Sequence, residues 1–157
     1  MIPLRILHVL DPVVLAAGRA GPASLLPWLA AQGHAVATVA VAGAEIAGFP
    51  CLGRRDGWWS WWRRGRRQAI AAAGGWGADL VHAHGEAAIA PAVELARGLA
   101  AQLVVEPVTL ALPATPRALR DAAVAAVLLP CEEHRASLLA DARMPRDRAV
   151  VVPAGID

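Results

Sequence analysis

The chain has 157 residues, enough for one domain with a real core, and it is 57% hydrophobic with mean hydropathy +0.45, much of that from alanine. No window approaches ~18 unbroken strongly apolar residues, which argues against a membrane-spanning helix. A net charge of +2 argues against a global nucleic-acid-binding field. The start, MIPLRILHVLDP, makes a poor signal peptide: Arg5 interrupts a short apolar run and no clean cleavage site follows. The cytoplasm is therefore the expected compartment. Cys51 and Cys131 lie far apart, outside any CxxC or Cys/His cluster, so neither a zinc site nor a disulfide framework is expected. All fifteen basic residues are arginine, a GC-rich bacterial coding pattern, and six of them fall between Arg54 and Arg67.

In chain order, short Val/Leu/Ile runs alternate with helix-like stretches. LRILHVL (4–10) predicts a first buried strand, and PASLLPWLAAQG (22–33) a helix that Gly33 ends. Pro27, about a turn in, predicts a kink or a later start. AVATVAVA (35–42) predicts a strand, and WWSWWRRGRRQAIAAAGG (58–75) a helix. DLVHAH (79–84) follows as a strand, then EAAIAPAVELARGLA (86–100) as a helix with Pro91 inside it. QLVVE (102–106) and AAVLLP (125–130) read as strands, CEEHRASLLADAR (131–143) as a helix and AVVVP (149–153) as the last strand. Repeated βαβ units of this kind wind right-handed into a parallel sheet. The expected fold is α/β: a Rossmann-like three-layer parallel sheet with helices on both faces, a single domain over 1–157 that reads as one half of a larger protein.

Several residues stand out on chemical grounds. The loop AAGRAG (16–21) carries Gly18 and Gly21, which let backbone N–H groups approach a phosphate or sugar hydroxyl ahead of a helix N-terminus. The plain alternative is an ordinary strand-to-helix turn. His84 and Gly85 close a buried strand at its carboxyl end, where open α/β sheets bind ligands. His84 can therefore serve the site or simply pack; His8 and His82 read as packed and His34 as structural. His134, beside Glu132 and Glu133, reads as part of a solvated helix face. In RRDGWWSWWRRGRRQ, a helical wheel places Trp58, Trp61, Trp62, Gly65, Ala69 and Ala72 on one face, with Arg63, Arg64 and Arg67 opposite. A basic helix with aromatic residues on its apolar face suits an anionic membrane surface. It equally suits a crossover helix packed on the sheet, with its arginines in water.

Four stretches, in order and along nearly the whole chain, resemble the N-terminal domain of bacterial glycosyltransferases of the family-4 type. They are RILHVLDP with its glycine-bearing loop, WLAAQGHAVATVAV (28–41), GADLVHAHG (77–85) and the tail AAVLLPCEEHRASLLADARMPRDRAVVVPAGID. The second is similar to the family's LAxxGHxVxVxx passage, and the third to PDVVHAHG. The tail is similar to ADAVIAVSxxxxxxLxxxGVPxxRVxVVPNGVD, which leads to an interdomain hinge. The resemblance implies the acceptor-side half of a two-domain hexosyltransferase of the B-type fold. A C-terminal half, in cis or trans, would hold most of the sugar nucleotide. It implies a glycan or lipid-linked acceptor of the cell envelope, a cytoplasmic enzyme at the inner face of the membrane, and no cofactor, metal or nucleic-acid partner. The isolated domain is expected to be inactive. His84 is the catalytic candidate, with Gly18, Gly21, His84, Gly85 and Glu106 as candidate substrate contacts.

The chain also departs from that pattern. The family's double glycine is AAGRAG here, and its hinge asparagine is Ala154. After the fourth strand the family has VxTxHD, with a cleft-lining histidine; here VVEPVTL puts Val108 at that place, leaving Glu106 or Thr109 to substitute. Val108 favours a rival, a degenerate non-catalytic domain that binds a partner or a membrane. An unrelated nucleotide-binding Rossmann domain is disfavoured, because GxGxxG and an acidic residue ending the second strand are absent.

Overall fold

The computed structural model describes residues 2–16, 21–41, 46–55, 65–107, 115–142 and 144–153. Its elements are β1 (Arg5–Leu10), α1 (Pro12–Ala16), α2 (Gly21–Ala31), β2 (Ala35–Val41), β3 (Cys51–Arg55), α3 (Arg66–Trp76), β4 (Leu80–His84), α4 (Glu86–Leu99), β5 (Gln102–Glu106), α5 (Thr115–Leu119), β6 (Val124–Leu129), α6 (Glu132–Ala142) and β7 (Ala149–Val151), the last preceded by a 3₁₀ turn at Arg146–Arg148. The strands form one seven-stranded sheet in the order β3-β2-β1-β4-β5-β6-β7. Every pairing is parallel.

The layering follows from handedness. The chain steps outward from β1 to β2 and β3, then returns across the sheet to β4 and steps the other way to β7. Right-handed crossovers require that reversal to move the helices to the opposite face. Leu7 and Val9, Ala37 and Val39, Val81 and Ala83, and Leu103 and Val105 line one face, in register across four strands. They join Ala69 and Ala73 of α3, Ala88, Ile89, Ala92, Leu95 and Ala96 of α4, Leu119 of α5 and Leu138 of α6 in one buried cluster. Leu26 of α2 is buried outside that cluster, where α2 packs on β2 from the other side. The β1/β4 junction, where the winding direction changes, is the switch point at which open sheets leave a crevice.

Several expectations needed correction. β3 was not expected, because CLGRR is short, interrupted by Gly53 and arginine-rich; it forms as an edge strand on β2. The short helices α1 and α5 were also missed. α2 begins at Gly21, with Pro22 in its first turn where the lost N–H costs little, and it continues through Pro27 instead of starting later. Gly33 does end α2: its φ is +87°, and the Gly33 and His34 N–H groups donate to Ala30 and Leu29. α3 starts at Arg66, and residues 56–64 lie outside the described residues. Its buried positions are Ala69 and Ala73, with Ile70 and Trp76 packed beside them, and Ala72 is exposed. The packed stripe is therefore rotated from the expected one, because α3 docks against both the sheet and α4. Among the described residues no helix is long and apolar enough to cross a membrane.

Candidate functional site at the switch point

Parallel register brings together residues that are remote in the chain. His8 stands beside His82, Leu10 beside His84, and His84 beside Glu106. Side chains alternate along a strand, so His8, His82, His84 and Glu106 all lie on the face opposite the main cluster. The three imidazoles are buried. His8 Nδ1 and His84 Nε2 are 2.8 Å apart, and His84 Nδ1 lies 2.9 Å from a Glu106 carboxylate oxygen. His82 Nε2 is 3.8 Å from that same oxygen, too far for a hydrogen bond. His84 is 1% exposed at its side chain and Glu106 43%. The chain Glu106–His84–His8 therefore runs from a half-open carboxylate into the protein, and both ring nitrogens of His84 are engaged inside it.

Burial sets the charge states of His8 and His82, and a hydrogen bond sets that of Glu106. Removal from water, reinforced by the nearby His84, lowers the His8 pKa to about 3. The same causes, with His8 added, push His82 well below the usual imidazole range. Glu106 is held below the usual carboxylate range by the hydrogen bond from His84, against the opposing pull of partial burial. At neutral pH an ionised Glu106 thus accepts from His84 Nδ1–H, and His8 and His82 are neutral.

Asp11, which lies in the RILHVLDP stretch but carries no role readable from sequence, locks this corner. One carboxylate oxygen accepts from the Val13 N–H at 3.0 Å and the other from the Ala87 N–H at 2.8 Å, so a single side chain caps both α1 and α4. The Asp11 N–H donates to the His84 carbonyl at 3.1 Å and the Gly85 N–H to the Glu106 carbonyl at 2.9 Å. Gly85 has φ +89°, and a Cβ there would lie 2.6 Å from Val14 and 2.7 Å from Asp11. Only glycine lets the chain turn from β4 into α4 beneath Asp11.

Of the residues singled out from sequence, His84, Gly85 and Glu106 come together here. Gly21 stands at the first position of α2 with open space around it. Gly18, Val108 and Thr109, together with Trp58, Trp61, Trp62, Arg63 and Arg64, lie outside the described residues. Arg67 is exposed on α3. His34 is structural, accepting the Leu4 N–H at its Nδ1. His8 and His82 are packed as expected, but their joining His84 was missed. Cys131 and His134 form a pair that the sequence did not announce: the sulfur lies 2.8 Å from Nδ1, because i and i+3 meet on the first turn of α6.

The sequence profile of Glycosyltransferase Family 4 matches residues 13–157, nearly the whole chain. The chain belongs to glycosyltransferase family 4. Two solved structures share the fold of this family-4 domain. A glycosyltransferase from Rickettsia africae superposes with TM-score 0.77 at 13% identity, over 100% of this chain and 44% of its own. Anabaena HepE (Alr3699), solved in complex with UDP and glucose, superposes with TM-score 0.56 at 14% identity, over 98% of this chain and 45% of its own. The chain thus spans less than half the length of either structure. No curated protein sequence matches it significantly.

Proposed function

We propose that this family-4 domain is the acceptor-side half of a hexosyltransferase that moves a hexose from a sugar nucleotide to a cell-envelope polysaccharide or lipid-linked acceptor. The observation that carries the reading is the family match over residues 13–157, together with the buried His84 and half-exposed Glu106 at the carboxyl ends of β4 and β5. A UDP and glucose complex of a protein with this fold supports a sugar nucleotide as donor. A second domain, in cis or trans, holds most of that donor. In this reading the half-exposed Glu106 carboxylate, with Gly18 and with Gly21 at the start of α2, receives an acceptor hydroxyl. His84, spent on Glu106 and His8, acts as a positioning residue, and Gly85 shapes the turn. No cofactor is invoked. The enzyme works in the cytoplasm, with Trp58, Trp61, Trp62, Arg63, Arg64 and Arg67 against an anionic inner membrane face.

Val108, in place of the family's cleft histidine, favours a second reading, a non-catalytic domain that binds a partner or the membrane. Nucleotide release from a panel of sugar nucleotides separates the two. The chain alone is expected to release none, and release is expected once a donor-binding half and envelope acceptors are supplied. Turnover by the chain alone overturns the division of labour; no turnover with the donor half present overturns the enzyme reading. In the active assembly His84→Ala is expected to cost more than tenfold, a threshold set below the ~10²–10⁴ of a group that itself transfers a proton, because His84 acts through Glu106. Wild-type turnover by a folded His84→Ala protein removes His84 from the mechanism.

A further inference from the structure

Three imidazoles sit on neighbouring positions of two paired strands, and the glycosyltransfer reading uses only one of them. His8, His82 and His84 each offer a ring nitrogen, and these donor atoms all lie within 4.8 Å of one another. Their ring centroids are 4.0 to 5.3 Å apart. Hydrogen bonding inside the cluster is incomplete: His8 Nε2 and His82 Nε2 are buried and have no hydrogen-bond partner. A buried polar atom left bare costs about 1–3 kcal/mol. The bare His82 Nε2, beside the Glu106–His84–His8 chain, calls for a ligand that imidazole binds.

We propose that His8, His82 and His84 form a binding site for one divalent transition-metal ion of the zinc type. The donor set decides the class. Three imidazole nitrogens with a carboxylate beside them suit zinc, cobalt, nickel or copper, and neither calcium nor magnesium, which take oxygen. Glu106 supplies the outer contact such sites carry, a carboxylate on the far nitrogen of a ligating histidine. It holds Nδ1 of His84 at 2.9 Å and leaves Nε2 for the ion. Zinc–nitrogen bonds of about 2.0–2.1 Å place ligand nitrogens about 3.3 Å apart. The 2.8 Å separation of His8 Nδ1 and His84 Nε2 must therefore open by roughly half an ångström, from a shared proton to a shared ion. Glu106, half-exposed, marks the side from which the ion enters. Bound there, the ion ties β1 to β4 across the switch point and leaves a fourth position for water. The site stands on the three side chains alone and survives even if the domain transfers no sugar.

The test uses the untagged chain, stripped with chelator and titrated with Zn²⁺ by calorimetry and with Co²⁺ by visible absorption. One equivalent is expected, with the strong bands of four-coordinate cobalt and a melting temperature that rises with the metal. His82→Gln, which spares the Glu106–His84–His8 hydrogen bonds, should abolish that equivalent. Glu106→Gln should weaken it by ~10–100-fold. A His34→Gln, His134→Gln double variant should retain it. Failure of the wild-type chain to bind Zn²⁺, or unchanged binding by His82→Gln, overturns the proposal. Should His82→Gln not fold, X-ray absorption on the cobalt-loaded wild type decides: three imidazole neighbours support the site, and one or none overturns it.

Discussion

The two faces of β1 and β4 are made by the same residues in alternation, yet they have opposite chemistry. Leu7, Val9, Val81 and Ala83 point into a closed apolar layer under α3 to α6, while His8, His82 and His84 point the other way into a polar cluster. The difference comes from the winding. Once the crossovers reverse at β4, the helices of the second half all lie on one face, and the other face is left with partial cover: Val104, Glu106, Ala126 and Leu128 are only half-buried. One face therefore supplies stability, and the other can carry groups that cost stability.

The sharpest way to break this comparison is at the hinge between the faces. Gly85→Ala adds left-handed strain of about 1–3 kcal/mol and a clash with Val14 and Asp11 of about 1–3 kcal/mol, and should destabilise by about 2–6 kcal/mol in urea unfolding. A loss under 1 kcal/mol would mean that this turn is not as tight as the structure shows. On the apolar face, Leu95→Ala should cost about 2–4 kcal/mol, since Leu95 is fully buried among side chains of the main cluster.

The polar face should betray itself in acid. His8 has a folded pKa of about 3 and an unfolded one near 6.5, so below pH 6.5 the unfolded chain binds a proton that the folded one refuses. Stability is full above pH 6.5 and lost as pH falls from 6.5 toward 3. His8 alone accounts for about 2 kcal/mol between pH 6.5 and 5, and His82 acts in the same direction. Glu106, whose folded pKa is depressed, adds a further loss below its unfolded pKa of 4.5. Urea midpoints measured in chelator across this range check it; a flat profile from pH 7 to 5 contradicts the buried neutral histidines.

Smaller effects sharpen the picture at its edges. Asp11→Ala removes two caps at once and should cost about 1–2 kcal/mol, with part recovered in Asp11→Asn. Equal stability of all three proteins would show that the caps are redundant. Changing Arg63, Arg64, Arg66 and Arg67 to glutamine should alter stability least, because Arg67 is exposed and the Arg66–Glu94 contact at 3.9 Å lies near the surface. The same variant should lose binding to anionic vesicles, read by co-sedimentation and a tryptophan blue shift in low salt. No binding by the wild type would leave this segment as a packed crossover helix.

By itself the sequence determined the class of fold and most of its strands. Near-continuous Val/Leu/Ile runs are what parallel strands buried on both faces require, and six of the seven strands carry them. The family resemblance was legible for a related reason: glycines and histidines at strand ends keep their spacing when the turns they serve are tight. Only the tertiary structure decided the rest. β3 has too weak a pattern to announce itself and exists because β2 offers it an edge. Asp11 looks like any loop aspartate until α1 and α4 present their N–H groups to it. The imidazole cluster depends on two strands that stand side by side while His8 and His84 are 76 residues apart. Periodicity reports which face a residue takes within its own strand; which residues share that face is set by register and crossover handedness, and these are properties of the folded chain.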